Sequence, residues 1–151
     1  MKIGLDIGNT IVSSTGGERI IFPYAFEVIR ELTKSNEVYL ISRVNSEQRE
    51  RSLKWLADTN FFNATGVAPN NLFYCFERRD KAIFVKALGI DVMVDDRPSV
   101  MSEMDDRVFK ILFRPLKKDV LDLKKPLFNS VIVEEWNDIS KLLLHKNIVF
   151  A

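Results

Sequence analysis

This chain of 151 residues has a single cysteine, a single histidine, five prolines, six glycines and no excess of charge of either sign. One cysteine excludes an intramolecular disulfide. Cys75 lies in the apolar run Leu72-Phe73-Tyr74-Cys75-Phe76, where a thiol packs as an inert core group. His145, beside Lys146 in the last helical stretch, reads as an ordinary surface residue. A net charge of +1 gives no global attraction to nucleic acid or to an anionic membrane. The basic clusters Arg49-Glu50-Arg51, Arg78-Arg79 and Lys117-Lys118 are diluted by nearby acids and read as solvated faces, the alternative being that one of them helps hold a large anionic substrate. No apolar run approaches the roughly 20 residues that cross a bilayer, and no signal-peptide core follows Met1-Lys2. The expectation is a cytoplasmic protein with no membrane partner.

What is present is an ordinary globular balance, with 46% hydrophobic and 28% charged residues. A chain of this length buries about two thirds of its unfolded surface in one domain spanning residues 1–151. Strand-like and helix-like segments alternate from end to end. Residues 2–7, 38–41, 72–76, 92–94 and 108–113 are compact apolar strands, and 131–133 read as a small extra one. Between them, Ala25, Val28, Ile29 and Leu32 recur at helical spacing behind Pro23, which suits a first helical turn. Asn45 and Gln48 form a capping box for a helix carrying Leu53, Leu56 and Ala57. Residues 79–88 form a helix with Ala82, Ile83 and Ala87 inward, closed by Gly89. Pro98 starts a short helix, and Trp136, Ile139 and Leu143 make the stripe of the last one. Residues 11–20 read as a loop or small flap, 60–70 as a loop, and 115–126 as a surface connection. This pattern predicts an α/β fold: a three-layer, Rossmann-like domain around a mainly parallel sheet of about five strands, covered on both faces.

Parallel strands put their C-terminal ends on one edge, where ligands of open α/β sheets bind. Asp6 closes the first strand, Ser42 the second, and Asp95-Asp96 the fourth, with Lys81 on the helix between the third and fourth. Carboxylates can attack phosphorus and hold Mg²⁺, while a hydroxyl and an ammonium neutralise phosphoryl oxygens.

The ordered set Asp6-x-Gly8-x-Thr10, Ser42, Lys81 and Val94-Asp95-Asp96 resembles the haloacid dehalogenase superfamily of aspartyl-nucleophile phosphohydrolases. Phe22-Pro23-Tyr24-Ala25 and Phe61-Phe62-Asn63-Ala64-Thr65-Gly66 are also similar to family segments, and the likeness runs from residue 2 to about 113. The resemblance implies Asp6 as nucleophile and metal ligand, with Ser42, Lys81 and Arg43 binding the phosphoryl group. It implies a Mg²⁺ site of Asp6, the Gly8 carbonyl, Asp95 and Asp96, and a phosphorylated substrate that can be macromolecular. Lys86 is a second candidate for the lysine role. The short intervals from Thr10 to Ser42 and from Cys75 to Asp95 leave no room for a large cap.

One position departs from the family pattern. At Gly8 the family's phosphatases carry an aspartate that protonates the leaving group and then activates water, so the resemblance implies a phosphatase of low activity. The alternative is a catalytically impaired descendant that binds a phosphorylated ligand or a partner; Ser14 or Glu18 of the flap could stand in for the missing acid. The turn Asp6-Ile7-Gly8-Asn9-Thr10 is also similar to the first phosphate-binding turn of the sugar kinase, actin and heat-shock ATPase superfamily. That fold needs a β-hairpin next and usually two lobes, whereas here a helix follows the flap and the chain is short.

Overall fold

The alternating pattern resolves, in a computed structural model that describes residues 1–13 and 17–144, into six parallel strands with helices on both faces. The strands of the main sheet are β1 (Lys2–Leu5), β4 (Glu37–Arg43), β5 (Leu72–Cys75), β6 (Val92–Asp95), β7 (Phe109–Phe113) and β8 (Ser130–Val133). Their order is β5-β4-β1-β6-β7-β8. The chain therefore builds outward from β1 in one direction, then returns to start β6 on its other side. Between β1 and β6 the winding reverses, and a crevice opens at the carboxyl ends of the strands.

Side-chain alternation distributes the core to two faces. Ile3, Leu5, Val38, Leu40, Val92, Val94, Ile111 and Phe113 point one way, to α1 (Ala25–Thr33), α2 (Ser46–Asp58), α3 (Phe61–Thr65) and α7 (Trp136–Leu143). Ile41, Met93 and Leu112 point the other way, with Val85 of α4 (Arg78–Leu88) and Val100 and Met101 of α5 (Pro98–Met101). The centre of the sheet is tight on this second face. A Cβ built on Gly4 would lie 2.7 Å from Met93 Sδ and 3.2 Å from Ile41 Cδ1.

Several expectations are corrected by the structure. The main sheet has six strands, the extra strand expected at 131–133 being Ser130–Val133, a parallel neighbour of β7. Pro23 precedes the first helix instead of opening it: Tyr24, at φ 65°, is the N-cap of α1. The stretch 60–70 is not all loop, since Phe61 is buried and meets Phe26 and Phe62 edge-to-face where the chain forms α3. The connection 115–126 contains α6 (Lys117–Leu121). On α2 the buried residues are Ser52, Trp55 and Leu56, with Leu53 and Ala57 exposed. On α4 they are Lys81 and Val85, whereas Ile83 is 64% exposed and Ala87 faces solvent.

The flap after β1 is a separate two-stranded antiparallel hairpin, β2 (Val12–Ser13) with β3 (Ile20–Ile21). It does not join the main sheet, and every pairing in that sheet is parallel. The β-hairpin that the kinase-like alternative expects after the first strand is present, but the flap leads into α1 and not into the main sheet. Among the described residues no large cap interrupts the fold: the flap is short, and α4 alone fills the interval between β5 and β6. No helix is long and apolar enough to cross a membrane among the described residues. Ser14 and His145 lie outside the described residues.

Candidate active site

Leu5 pairs with Val94 across the β1–β6 boundary, and the Asp6 amide donates to the Val94 carbonyl at 3.0 Å. This register brings the next side chains, Asp6 and Asp95, to the same edge. Just beyond, the Ile7 carbonyl accepts from the amides of Thr10, Ile11 and Val12 at 3.3, 2.9 and 3.3 Å, folding residues 7–12 into a tight turn. Asn9 holds the turn at φ 57°. From behind, the buried Trp136 indole N–H donates to the Thr10 carbonyl at 2.9 Å and ties α7 to the turn.

Lys81 comes from the first turns of α4 and is buried between the two acids. Its Nζ lies 2.7 Å from Asp95 Oδ2 and 3.2 Å from Asp6 Oδ1. Asp95 Oδ1 also accepts the Arg97 amide at 3.1 Å, which fixes the turn into α5. Lys86, the other candidate lysine, is exposed and lines a different cavity with Gly89 and Asp91.

The electrostatics follow from burial and crowding. Burial first, and then the Asp95 charge, push Asp6 from 3.8 up to about 6 against the lowering effect of Lys81. Burial, followed by the charges of Asp6 and Asp95, pushes Asp96 up to about 8. Burial alone would lower Lys81, but Asp6 and Asp95 outweigh it and hold the ammonium above the usual lysine range. Burial raises the Cys75 thiol, whose Sγ sits 3.6 Å from the Ser42 carbonyl, so it remains a packed thiol.

One oxygen from each of Asp6, Asp95 and Asp96 can be chosen so that all lie within 4.8 Å of one another. An all-oxygen set of three carboxylates at a water-accessible cleft suits a hard divalent cation such as Mg²⁺. The mutual repulsion that adds to burial in raising Asp6 and Asp96 is the charge such an ion would offset.

Asp6, Gly8, Ser42, Arg43, Lys81 and Asp96 line one cleft of about 160 Å³, and Asp95 is fully buried beneath it. The Ser42 hydroxyl makes no hydrogen bond among the described residues and lines the cleft. Gly8 is not in the left-handed region, so its backbone does not itself require glycine. Glu18 is exposed and is not part of the lining; among the described residues the only carboxylates there are Asp6 and Asp96. Sequence reasoning missed three further lining residues, Arg19 of the flap, Arg78 at the start of α4, and Arg97. Arg78 had a sequence signal, the Arg78-Arg79 pair, but the two residues part company: Arg79 pairs with Glu77 at 2.8 Å and Arg78 turns to the cleft.

No protein-family model matches the chain. Over 84 residues it is 31% identical to a candidate nucleotidase of Bacillus cereus, covering 55% of this chain and 42% of that protein. Over 119 residues it is 26% identical to a candidate nucleotidase of Oceanobacillus iheyensis, covering 78% and 58%. The chain spans about half the length of these curated relatives. Among solved structures it resembles the D,D-heptose 1,7-bisphosphate phosphatase of Burkholderia thailandensis, with a TM-score of 0.63 at 14% identity, covering 95% of this chain and 97% of that one. It also resembles a candidate haloacid dehalogenase-like hydrolase of Burkholderia xenovorans, with a TM-score of 0.61 at 14% identity, covering 87% and 60%. The fold is thus the Rossmann-like α/β fold of haloacid dehalogenase-like hydrolases.

Proposed function

We propose that this chain is a Mg²⁺-dependent phosphomonoester hydrolase that acts through an aspartyl phosphate on Asp6, with slow turnover because position 8 carries no acid–base group. The observation that carries this reading is the buried Asp6–Lys81–Asp95 ion-pair chain at the β1–β6 crevice, with Asp96 close by and the Ser42 hydroxyl on the cleft wall. The two nucleotidase-like relatives and the two hydrolase folds support the reaction class.

In this reading an Asp6 carboxylate oxygen attacks phosphorus, and the bond from phosphorus to the ester oxygen breaks as the new acyl phosphate bond forms. Lys81 keeps Asp6 ionised and oriented, and the Ser42 hydroxyl and Arg43 bind phosphoryl oxygens. Bound at Asp6, Asp95 and Asp96, Mg²⁺ supplies charge neutralisation for phosphoryl transfer. The leaving oxygen must then take its proton from solvent, since Gly8 has none to give. Water next attacks the acyl phosphate, releases inorganic phosphate and restores Asp6, again without a neighbouring base. An activated ester, whose leaving group departs as an anion, avoids the first handicap.

The test is hydrolysis of an aryl phosphate with Mg²⁺ by the parent protein and by Asp6→Asn. Turnover that falls at least about a hundredfold in Asp6→Asn supports the assignment. Turnover unaffected by that change contradicts it. The absence of any turnover, together with phosphate binding, identifies the chain as a binding protein built on the same site, the reading that Gly8 favours.

A further inference from the structure

One wall of the cleft is neutral and polar. Val44, Gln48 and Ser52 line it together, and their spacing of four residues puts them on one face of the start of α2. Each polar side chain on this wall has its oxygen engaged by a protein donor and its hydrogen free. Gln48 Oε1 accepts the Asn45 amide at 2.9 Å in the capping box. A backbone N–H meets only the oxygen end of a carboxamide, so the free end of Gln48 is its NH₂ group, which has no partner among the described residues. Ser52 is only 4% exposed, and its Oγ accepts the Tyr74 hydroxyl at 2.7 Å. The Ser52 proton itself goes to no acceptor among the described residues. Tyr74 is set for this task by register, since it lies beside Ser42 on the neighbouring strand, and Arg49 sits 5.9 Å from its ring centre.

Two neutral donors on one small wall call for an acceptor oxygen. The cleft holds about 160 Å³, whereas pockets that enclose a whole small ligand start at roughly 300 Å³. With a phosphoryl group at Asp6, the atoms nearest the ester oxygen therefore lie against this wall. A carbonyl or carboxylate oxygen there takes both donors on its lone pairs. A hydroxyl in the same place brings a hydrogen that meets oxygens already engaged, and a polar group left unmet on binding is what such a site rejects. The Asp6 and Asp96 carboxylates also line the cleft, but in the proposed reaction they serve phosphorus and the cation.

We infer that Gln48 and Ser52 select the leaving group, which carries a carbonyl or carboxylate oxygen close to the ester oxygen. Tyr74 is a positioning residue: by donating to Ser52 it turns that hydroxyl into a donor toward the cleft. The inference rests on the proposed phosphoryl site and adds the substrate class, phosphoesters of hydroxy ketones or hydroxy acids. The two sources share one recognition chemistry, an acceptor oxygen without a hydrogen of its own.

The experiment is calorimetric titration of the parent protein with Mg²⁺ and phosphonates, whose carbon–phosphorus bonds resist hydrolysis. The probes are butyl phosphonate, its relatives with a ketone or a hydroxyl on the third carbon, and propionate carrying a phosphonate on its third carbon. The ketone or the carboxylate binds at least about tenfold more tightly than the hydroxyl probe, and the tighter of the two names the source. Gln48→Glu keeps an oxygen for the Asn45 amide but replaces the NH₂ by a second oxygen, so it removes the preference while preserving the capping box. Tyr74→Phe frees the Ser52 oxygen to accept and brings the hydroxyl probe within about threefold of the other two. Two results overturn the inference: a hydroxyl probe already within about threefold of both in the parent, or weakening of all probes by one common factor in the two variants, as a merely structural role would give. Butyl phosphonate separates the two levels of the argument. If neither it nor any other probe binds, the phosphoryl site falls and this inference with it; equal binding of all four removes the selective wall alone.

Discussion

In the proposed reaction, the absence of a side chain at position 8 removes help from two proton transfers, one to the leaving group and one from the attacking water. General acid–base catalysis contributes roughly a hundred- to ten-thousand-fold to such steps. Because the Gly8 backbone is not left-handed, an aspartate can be placed there without backbone strain. Gly8→Asp is expected to raise Mg²⁺-dependent hydrolysis of an alkyl phosphate at least about tenfold in steady-state assays. Lys81 gives a second prediction at this scale. It is buried between Asp6 and Asp95, so Lys81→Met leaves two crowded carboxylates without a counter-charge. Breaking a buried ion pair from one side costs about 3–5 kcal/mol, measurable by urea unfolding without metal, and Mg²⁺ is expected to restore part of the loss. Asp6, Ser42, Lys81 and the Asp95-Asp96 pair were legible in sequence because each follows or faces a strand end. Arg19, Arg78 and Arg97 were not, since nothing in a local window tells a solvated arginine from one that turns to a cleft.

Elements were legible where burial is apolar and periodic, and illegible where it is polar. On α4 the hydrophobic pattern selected Ala82, Ile83 and Ala87, yet the inward positions are Lys81 and Val85, because the site holds a charged side chain inside. On α2 the inward Ser52 escapes the same pattern; its hydroxyl accepts from the Tyr74 hydroxyl at 2.7 Å. The capping box at the start of α2 was readable because it is local chemistry. The Gln48 amide donates to Asn45 Oδ1 at 2.8 Å, and the Asn45 amide donates to Gln48 Oε1 at 2.9 Å. Asn45→Ala is expected to cost about 1 kcal/mol in urea unfolding. The short α3 was missed because its end depends on a tertiary fit. Gly66 stops it at φ 84°, and a Cβ there would meet Thr33 Oγ1 at 2.7 Å, the hydroxyl that binds the Thr65 carbonyl.

At the scale of the molecule, strand alternation announced a parallel sheet, but the strand order had to come from three dimensions. That order sets β1 beside β6 and so places Asp6 next to Asp95, residues far apart in the chain. The crowding has a pH signature. Asp6 at about 6 and Asp96 at about 8 both lie above the ordinary 3.8. Above pH 3.8 the folded metal-free chain therefore holds more protons than the unfolded one, and these groups lower its stability as pH rises through 6 toward 8. A divalent cation binds the ionised forms, so the rise in Tm produced by Mg²⁺ is expected to grow over that same window. A Mg²⁺ effect that shrinks with rising pH contradicts the three-carboxylate site.

In the proposed reaction an Asp6 nucleophile, working without a base at position 8, forms the acyl phosphate more easily than water removes it when the leaving group is good. Stopped-flow release of the aryl alcohol from an activated aryl phosphate reads both steps in one trace. The parent protein is expected to show a burst approaching one equivalent per chain, then a slow steady phase, and Gly8→Asp to lose the burst and gain a faster steady rate. Linear release from the first turnover in the parent protein, unchanged by Gly8→Asp, would contradict this reaction.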